Sequence, residues 1–220
     1  MPAHILVVGC GTGRTVFPFG ELGYTVSACD ISPEMIRAAE SQKALLKSSV
    51  NFYTLDAAFL DQTYLPDTFD VIWFPFHRIN FIFPIQHRIL YIKACQKIEK
   101  STGTVIYNMH NFLFPRVLKQ WLIQKNPHYT CIHSTEKSLW TYTRVPFLEK
   151  LFAQKYYQSV LMFTRYSLIP ININMKWKER FARITAVIFD KSFYYILRKP
   201  KNSPPSQICF KNCFICRSGF

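Results

Sequence analysis

The stretch from His4 to Arg14 restricts the fold of this chain more than any other part of the sequence. Residues 5–8 are four consecutive apolar residues, three of them β-branched, and such a run is typical of a strand buried on both faces of a parallel sheet. Three glycines follow at alternate positions, Gly9, Gly11 and Gly13. Because glycine has no Cβ atom, a ligand can lie against such a loop, and free N–H groups at the next helix favour an anion. We therefore expect an α/β fold with a ligand site at the end of its first strand.

Apolar segments and helical patterns alternate over the first 110 residues. Further strands are predicted at 24–30, 50–55, 69–74 and 104–109, and helices at 33–43 and 86–99. The helix after the glycine loop should be short and irregular, because Pro18 and Gly20 fall inside it. This alternation predicts an α/β fold built on a doubly wound, mostly parallel sheet with helices on both faces.

The sequence changes character after residue 111, where it becomes aromatic, basic and less periodic. We predict a core at 1–115, an insertion or lid at 116–177, a closing antiparallel hairpin at 178–199, and a linker and tail at 200–220. Within the insertion, 117–124 and 146–157 have helical patterns and 129–142 has strand character. The hairpin is inferred from two apolar segments, 181–189 and 193–198, whose three-residue connection is too short for a crossover helix.

Charge is distributed unevenly along the 220 residues, whose net charge is +14. Residues 1–115 carry nine Lys or Arg and nine Asp or Glu, whereas residues 116–220 carry eighteen and four. A basic half of this kind can attract nucleic acid, anionic lipid or an acidic small molecule, or can simply be solvated. Charge alone therefore does not identify a binding partner.

Targeting and redox signals are weak in this sequence. It contains no charge-free apolar run long enough to cross a bilayer and no pattern of an export signal at its beginning, so we expect a cytoplasmic protein. Seven cysteines without an export signal indicate reduced thiols, most of them small core residues. Three of them, Cys209, Cys213 and Cys216, have the spacing of an iron–sulfur or zinc site, but their place after a proline-rich linker and among phenylalanines favours apolar packing. No metal site is predicted.

Asp30 strengthens the interpretation of the glycine loop. It ends the second predicted strand about 20 residues after the loop, where a carboxylate can accept hydrogen bonds from both ribose hydroxyls. A nicotinamide dinucleotide is disfavoured, because its fingerprint requires a glycine at the position of Arg14 and the third glycine here is Gly13. The pair of features predicts a nucleoside ligand.

The loop, together with the sequence of residues 30–35, closely resembles the class I S-adenosylmethionine-dependent methyltransferase family. The resemblance implies a Rossmann-like, seven-stranded sheet with an antiparallel last strand. It also implies S-adenosylmethionine as cofactor, held by the glycine loop at its methionine part, by the second-strand acid at the ribose, and by the acid after the third strand at the adenine. By motif, the residues that would contact the cofactor are Gly9, Cys10, Gly11, Gly13, Asp30, Ile31, Met35, Asp56, Ala57 and Phe74. For Met35, a place on the apolar stripe of its helix is the competing prediction.

The loop after the fourth strand borders the transferred methyl group in this family. His77 is therefore our catalytic candidate, with Asn80, Tyr107, His110 and Asn111 as further candidates near the acceptor. The resemblance implies a methyltransferase acting on an acceptor that we expect to be a small molecule. The alternative is a weakly active or non-catalytic protein of the same fold that binds RNA or another polyanion through its basic half. Many relatives have a helix before the first strand that covers the cofactor, and three alternatives follow for this chain: an open site, a lid supplied by residues 120–160, or a shortened chain with impaired activity.

Overall fold

A computed structural model describes residues 2–82, 85–111, 119, 122, 129–133, 138–142, 146–164 and 192–199. Seven strands form one sheet in the order β3-β2-β1-β4-β5-β9-β8, and β6 and β7 form a separate antiparallel pair. The strands β1 to β5 run parallel, while β9 runs antiparallel to both of its neighbours. The predicted doubly wound sheet with an antiparallel last strand is confirmed. The strands are β1 (His4–Val8), β2 (Thr25–Asp30), β3 (Asn51–Thr54), β4 (Phe69–Phe74), β5 (Glu99–His110), β6 (Tyr129–His133), β7 (Ser138–Tyr142), β8 (Ser159–Thr164) and β9 (Ser192–Arg198).

The second helix begins where local sequence signals place it. Ser32 caps the second helix by accepting a hydrogen bond from the Met35 amide at 3.3 Å, and Pro33 and Glu34 occupy its first turn. Lys47 ends that helix in the left-handed conformation. The first helix is only five residues long and includes Pro18, as expected. The helices are α1 (Phe17–Glu21), α2 (Pro33–Leu46), α3 (Leu60–Thr63), α4 (Ile85–Ile98) and α5 (Pro146–Gln154), with 3₁₀ turns at Ala57–Phe59 and Arg78–Phe81.

Strand β1 is buried on both faces and divides the core into two layers. Leu6 and Val8 point into one layer with residues of β4, β5, α4 and α5, whereas Ile5 and Val7 point into the other with residues of α1, β2 and α2. Each face of a parallel sheet requires a helical cover, so apolar side chains of β1 alternate between two cores. This burial on both faces explains why residues 5–8 are all apolar.

Strand β9 pairs differently from the hairpin that the sequence predicts. It lies between β5 and β8, with Ile196 opposite Ile106 on one side and Leu161 on the other. The antiparallel last strand is confirmed, but its sheet partner β8 comes from residues 159–164, inside the predicted insertion. Residues 159–164 supply this partner because β9 pairs antiparallel with both β5 and β8, so each of its two backbone edges is satisfied within the sheet. The first arm of the predicted hairpin, 181–189, lies outside the described residues.

The predicted insertion at 116–177 is therefore in part a component of the sheet. Besides β8 it contributes α5, as predicted, and the strand pair β6 and β7 in the region predicted to have strand character. Of the predicted helix at 117–124 the structure describes residues 119 and 122, both helical, and the predicted tail at 200–220 lies outside the described part of the chain. Within the described residues, no helix has the length and apolar character needed to span a membrane.

Candidate active site

The switch point of the sheet lies between β1 and β4. The chain proceeds outward in opposite directions from these two strands, so the loops that follow them separate and leave a crevice at the carboxyl edge. In doubly wound sheets ligands bind in this crevice. Here its two sides are the glycine loop after β1 and the loop after β4 that contains His77 and Arg78.

The glycine loop requires glycine for its backbone conformation. Gly9, Gly11 and Gly13 have φ angles of 76°, 56° and 84°, all in the left-handed region that other L-residues rarely adopt. Asp30 holds the loop in place. Its carboxylate accepts hydrogen bonds from the Gly11 amide at 2.8 Å and from the Ser32 amide at 3.1 Å, and the side chain is buried. A carboxylate has about four lone-pair positions, so Asp30 retains acceptor capacity for a diol.

Asp56 lies at the carboxyl edge just beyond β3. One of its oxygens, Oδ1, accepts hydrogen bonds from the Ala58 amide at 2.9 Å and from the Tyr91 hydroxyl at 2.8 Å. Burial and the Asp56 carboxylate raise the pKa of Tyr91, which therefore stays a hydrogen-bond donor. Asp56 and Ala57 are half-buried and reach solvent. Their arrangement fits the predicted role beside an exocyclic amine.

Three apolar side chains are unusually exposed at the same edge. Ile31 is 66% exposed, Met35 is 44% exposed and Phe59 is 49% exposed. Met35 belongs to α2, whose core-facing stripe consists instead of the buried Ile36 and Ala39. The competing prediction that Met35 packs in the core is therefore wrong. Exposed apolar side chains on both sides of a carboxylate edge suit a flat aromatic ring such as adenine.

Two predicted cofactor residues have side chains that point away from the crevice. Phe74 is 1% exposed and packs in the core with Tyr107, so its side chain cannot touch a ligand. Cys10 is also buried, and burial together with Asp30 raises the pKa of its thiol to about 12. The thiol donates to the carbonyl of Gly11 at 3.5 Å. Any contact that Cys10 makes with a cofactor is thus through its backbone.

The loop after β4 has an uncommon backbone. Phe76 and His77 have φ angles of 50° and 58°, and consecutive left-handed residues other than glycine cost roughly 1–2 kcal/mol each. Hydrogen bonds fix the turn: the His77 amide donates to Asn108 Oδ1 at 3.0 Å and the Asn80 amide donates to the His77 carbonyl at 2.8 Å. Strain of this kind is concentrated at functional sites.

His77 lies among side chains from two other strands. Its ring stacks on His110 at the end of β5, with 3.8 Å between ring centroids and 10° between planes. Its Nε2 atom is 2.6 Å from the Ser192 hydroxyl at the start of β9. Burial and the His110 ring lower the pKa of His77 to about 3, and burial also lowers that of His110. Both imidazoles are therefore uncharged at neutral pH.

The remaining acceptor candidates are buried. Tyr107 is enclosed in the core and donates its hydroxyl hydrogen to Glu149 at 2.9 Å, and Asn111 is fully buried. Asn80 is also fully buried, and its side-chain carboxamide has no hydrogen-bond partner among the described residues. Of the five candidates, only His77 and His110 have surface that an acceptor could touch.

Two residues at the crevice were missed in the sequence. Ser192 is 115 residues away from His77, and no motif joins them. Arg78 directly follows His77, and its side chain lies over the glycine loop: a Cβ atom at Gly9 would be 2.8 Å from its Cγ atom. The one signal for Arg78 was its position in the loop after β4, four residues beyond Phe74, and such a position does not specify the direction of a long side chain.

Comparisons with known proteins agree with this geometry. Residues 5–103, somewhat less than half of the chain, match the family model described as a methyltransferase domain. This segment runs from β1 into β5 and includes the glycine loop, Asp30, Asp56 and Arg78. No curated protein matches the chain significantly by sequence.

Solved structures of methyltransferases have a similar fold. A S-adenosylmethionine-dependent methyltransferase from Methanosarcina mazei aligns with a TM-score of 0.68 at 16% identity, over 90% of this chain and 92% of that one. A S-adenosylmethionine-dependent methyltransferase from Clostridium acetobutylicum gives 0.64 at 13% identity, over 90% and 84%. The CcbJ methyltransferase from Streptomyces caelestis gives 0.64 at 13% identity, also over 90% and 84%.

The strand order, the glycine loop and the edge carboxylates thus define a protein with the class I S-adenosylmethionine-dependent methyltransferase fold. Residues 5–103 match the family model of a methyltransferase domain, and the solved structures with a similar fold include methyltransferases that depend on S-adenosylmethionine. The residues present fit that cofactor: a glycine cradle, a buried carboxylate with remaining acceptor capacity, an edge acid and exposed apolar side chains surround one crevice.

Proposed function

We propose that this chain binds S-adenosylmethionine in the crevice between β1 and β4 and transfers its methyl group to a small-molecule acceptor. Gly9, Gly11 and Gly13 would hold the methionine part, and Asp30 the ribose hydroxyls. Asp56 and Ala57 would meet the adenine edge, while Ile31 and Met35 would contact its faces. When bound, the cofactor supplies an electrophilic methyl group on a positively charged sulfur.

The protein's contribution is mainly to position the acceptor and exclude water. Fixing two reactants in line can supply roughly 7–11 kcal/mol of the barrier reduction. We place the acceptor beside His77, because the loop after β4 forms the second side of the crevice. A general base is most effective when its pKa is near the working pH, and the lowered pKa of His77 suits a neutral hydrogen-bonding group instead. His77 would orient the acceptor, and the proton released on methylation would pass to solvent.

One observation carries the cofactor assignment: the Gly11 amide and the Asp30 carboxylate are joined at 2.8 Å. This contact supports the proposal, because it joins the acid that would bind the ribose to the loop that would hold the methionine part. Calorimetric titration with S-adenosylmethionine tests the assignment. We expect the unmodified protein to bind it and Asp30→Asn to bind about tenfold or more weakly, because a neutral amide replaces a charged acceptor of two hydroxyls.

The choice of asparagine matters for this test. Asp30→Ala would also remove the acceptor for the Gly11 and Ser32 amides and so disturb the loop itself, whereas asparagine keeps one oxygen. Glu34→Gln is the matched control, since Glu34 is an exposed acid four residues later that pairs with Arg37 at 3.1 Å. Absence of binding by the unmodified protein, or equal affinity of Asp30→Asn and Glu34→Gln, contradicts the assignment.

The alternative function, binding of RNA or another polyanion, depends on the basic residues after 115. Most of them lie outside the described part of the chain, and none of the contacts reported above favours this alternative. It remains a prediction, for which the salt dependence of RNA affinity is the test.

A further inference from the structure

Arg78 crosses the crevice at the switch point of the sheet. It belongs to the loop after β4, yet its side chain lies on the loop after β1. A Cβ atom at Gly9 would be 2.8 Å from Arg78 Cγ and 3.1 Å from Cδ, and one at Gly11 would be 3.5 Å from Nη2. The aliphatic stem of Arg78 therefore occupies the space left by the missing side chain of Gly9, and its guanidinium extends over Gly11.

The guanidinium has no acidic partner there. Arg78 is exposed, and among the described residues no carboxylate lies within ion-pair distance of it. The nearest acid of the loop, Asp30, is already engaged by two backbone amides, and the adjacent Cys10 thiol is uncharged. Arg14, the other arginine at this loop, lies instead over the ring of Phe76, 5.4 Å from its centroid.

We propose that Arg78 binds the α-carboxylate of the cofactor's methionine part, and that its stem must leave Gly9 for that part to enter. This inference rests on the proposed function. A guanidinium is planar and presents paired donors that match a carboxylate. Moving it is inexpensive, because the side chain is flexible and exposed and leaves no ion pair among the described residues.

The ion pair with Arg78 favours binding, whereas displacement of its stem from Gly9 opposes it, so ligands with and without an α-carboxylate should respond differently to Arg78. A ligand with the carboxylate gains an ion pair after displacing the stem. A ligand without it displaces the stem, or binds beside it, and gains nothing from Arg78. S-adenosylhomocysteine and 5′-methylthioadenosine form the matched pair of probes, because both contain the thioether and adenosine but only the first has the amino-acid end.

Calorimetric titration of both probes into the unmodified protein, Arg78→Ala and Arg78→Lys tests the proposal. We expect Arg78→Ala to lose about tenfold or more in affinity for S-adenosylhomocysteine, with unchanged or tighter binding of 5′-methylthioadenosine. Arg78→Lys should lie between, since lysine keeps the charge and loses the paired donors. Arg37→Ala is the control, because it removes an exposed arginine of the same charge from α2.

The outcomes separate this inference from the proposed function. If the unmodified protein binds S-adenosylhomocysteine while Arg78→Ala binds it equally well, or loses affinity for both probes to the same extent, the role of Arg78 is wrong and the cofactor assignment stands. If the unmodified protein binds neither probe, both are overturned. A loss confined to the carboxylate-bearing probe supports the proposal, provided Arg37→Ala retains the affinity of the unmodified protein.

Discussion

Glu99 is a buried acid at the amino end of β5, far along the strand from the candidate site. It is fully buried, and the Lys199 ammonium lies 3.8 Å from its Oε1 atom. Burial outweighs this cation and raises the pKa of Glu99 to about 8. The folded chain therefore keeps a proton on Glu99 that the unfolded chain releases above about pH 4.5.

This titration makes stability depend on pH. Between about pH 4.5 and 8 the folded state binds more protons at Glu99 than the unfolded state, so its contribution to the free energy of unfolding falls as pH rises. Glu99→Gln removes the titrating group, and we expect it to be more stable than the unmodified protein at pH 8, by about 2–4 kcal/mol, with a smaller difference near pH 5. Urea denaturation at pH 5, 6.5 and 8 measures the change.

The control for this prediction is Asp67→Asn, which changes an exposed acid in the turn before β4. Asn tolerates the left-handed conformation that Asp67 adopts, with φ of 53°. The free energy of unfolding of Asp67→Asn should equal that of the unmodified protein at all three pH values. A Glu99→Gln profile parallel to that of the unmodified protein would mean that Glu99 does not titrate in this range.

The positions and contacts of some site residues could be predicted from the sequence, and those of others could not. Gly9, Gly11, Gly13 and Asp30 lie together because their spacing is set within one strand–loop–strand unit. For Phe74 the sequence did not show the direction of the side chain, which the alternation of β4 places in the core, so a contact with the cofactor would have to come from its backbone. The partners of His77 could not be predicted, because stacking with His110 and the contact with Ser192 depend on strand pairing over long separations.

The glycine loop is the element whose conformation is most closely tied to its packing. At Gly13, with φ of 84°, a Cβ atom would lie 2.9 Å from Phe17 and 3.0 Å from Phe52, two aromatic rings that pack edge to face. At Gly23, with φ of 83°, nothing lies within 4 Å of such an atom. The two glycines therefore share a backbone conformation and differ in surroundings.

Alanine at these two positions separates strain from crowding. We expect Gly23→Ala to cost about 1 kcal/mol, the penalty for a left-handed residue with a Cβ atom. Gly13→Ala should cost more, roughly 2–4 kcal/mol, because the two rings must also shift. The difference in the midpoint of urea denaturation between the two variants is the measurement, and equal losses would show that the rings yield without cost.

Elements with local signals were predicted well. The bounds of β4 agree with the sequence, and α2 begins at the predicted cap because Ser32, Pro33 and Glu34 act within one turn. Strand β8 was not recognised, since residues 159–164 carry no turn signal that separates them from the helical pattern before them. Its place is decided by β9, a partner about 30 residues later.

The two halves of the molecule are joined by a buried ion pair. Arg88 of α4 donates to Glu149 of α5 at 2.7 Å, and both side chains are almost completely buried. Tyr107 of β5 donates to the same carboxylate oxygen, and the Arg88 guanidinium lies 5.7 Å from the ring centroid of Phe152. The cluster connects the segment matched by the family model to the segment beyond it.

Removing one member of this pair should affect the whole molecule. We expect Glu149→Leu to cost about 3–5 kcal/mol, because it leaves the Arg88 charge buried without its carboxylate. Arg88→Met together with Glu149→Leu should be less destabilising than Glu149→Leu alone, since an apolar pair has no desolvation penalty. Thermal and urea unfolding of the single and double variants give the coupling, and additive losses would contradict it.

At the scale of the chain, the sequence indicated the fold through β1 to β5 and the cofactor class through one loop and its acids. It did not indicate how α5, β8 and β9 complete the sheet, because these contacts join residues about 30 to 100 positions apart. The identity of the acceptor could not be predicted from the sequence either, since acceptor specificity depends on side chains that meet only when α5, β8 and β9 complete the sheet.

The position of β9 also sets the order in which the molecule can be assembled. During synthesis β8 emerges before β9, but among the described strands its sheet partner is β9 alone. Until residues 192–198 arrive, β5 and β8 both present unpaired backbone edges, which are the usual starting points of aggregation. A nascent chain that stops short of β9 therefore exposes two such edges at once, and completion of the sheet waits for a strand that begins about 30 residues after β8.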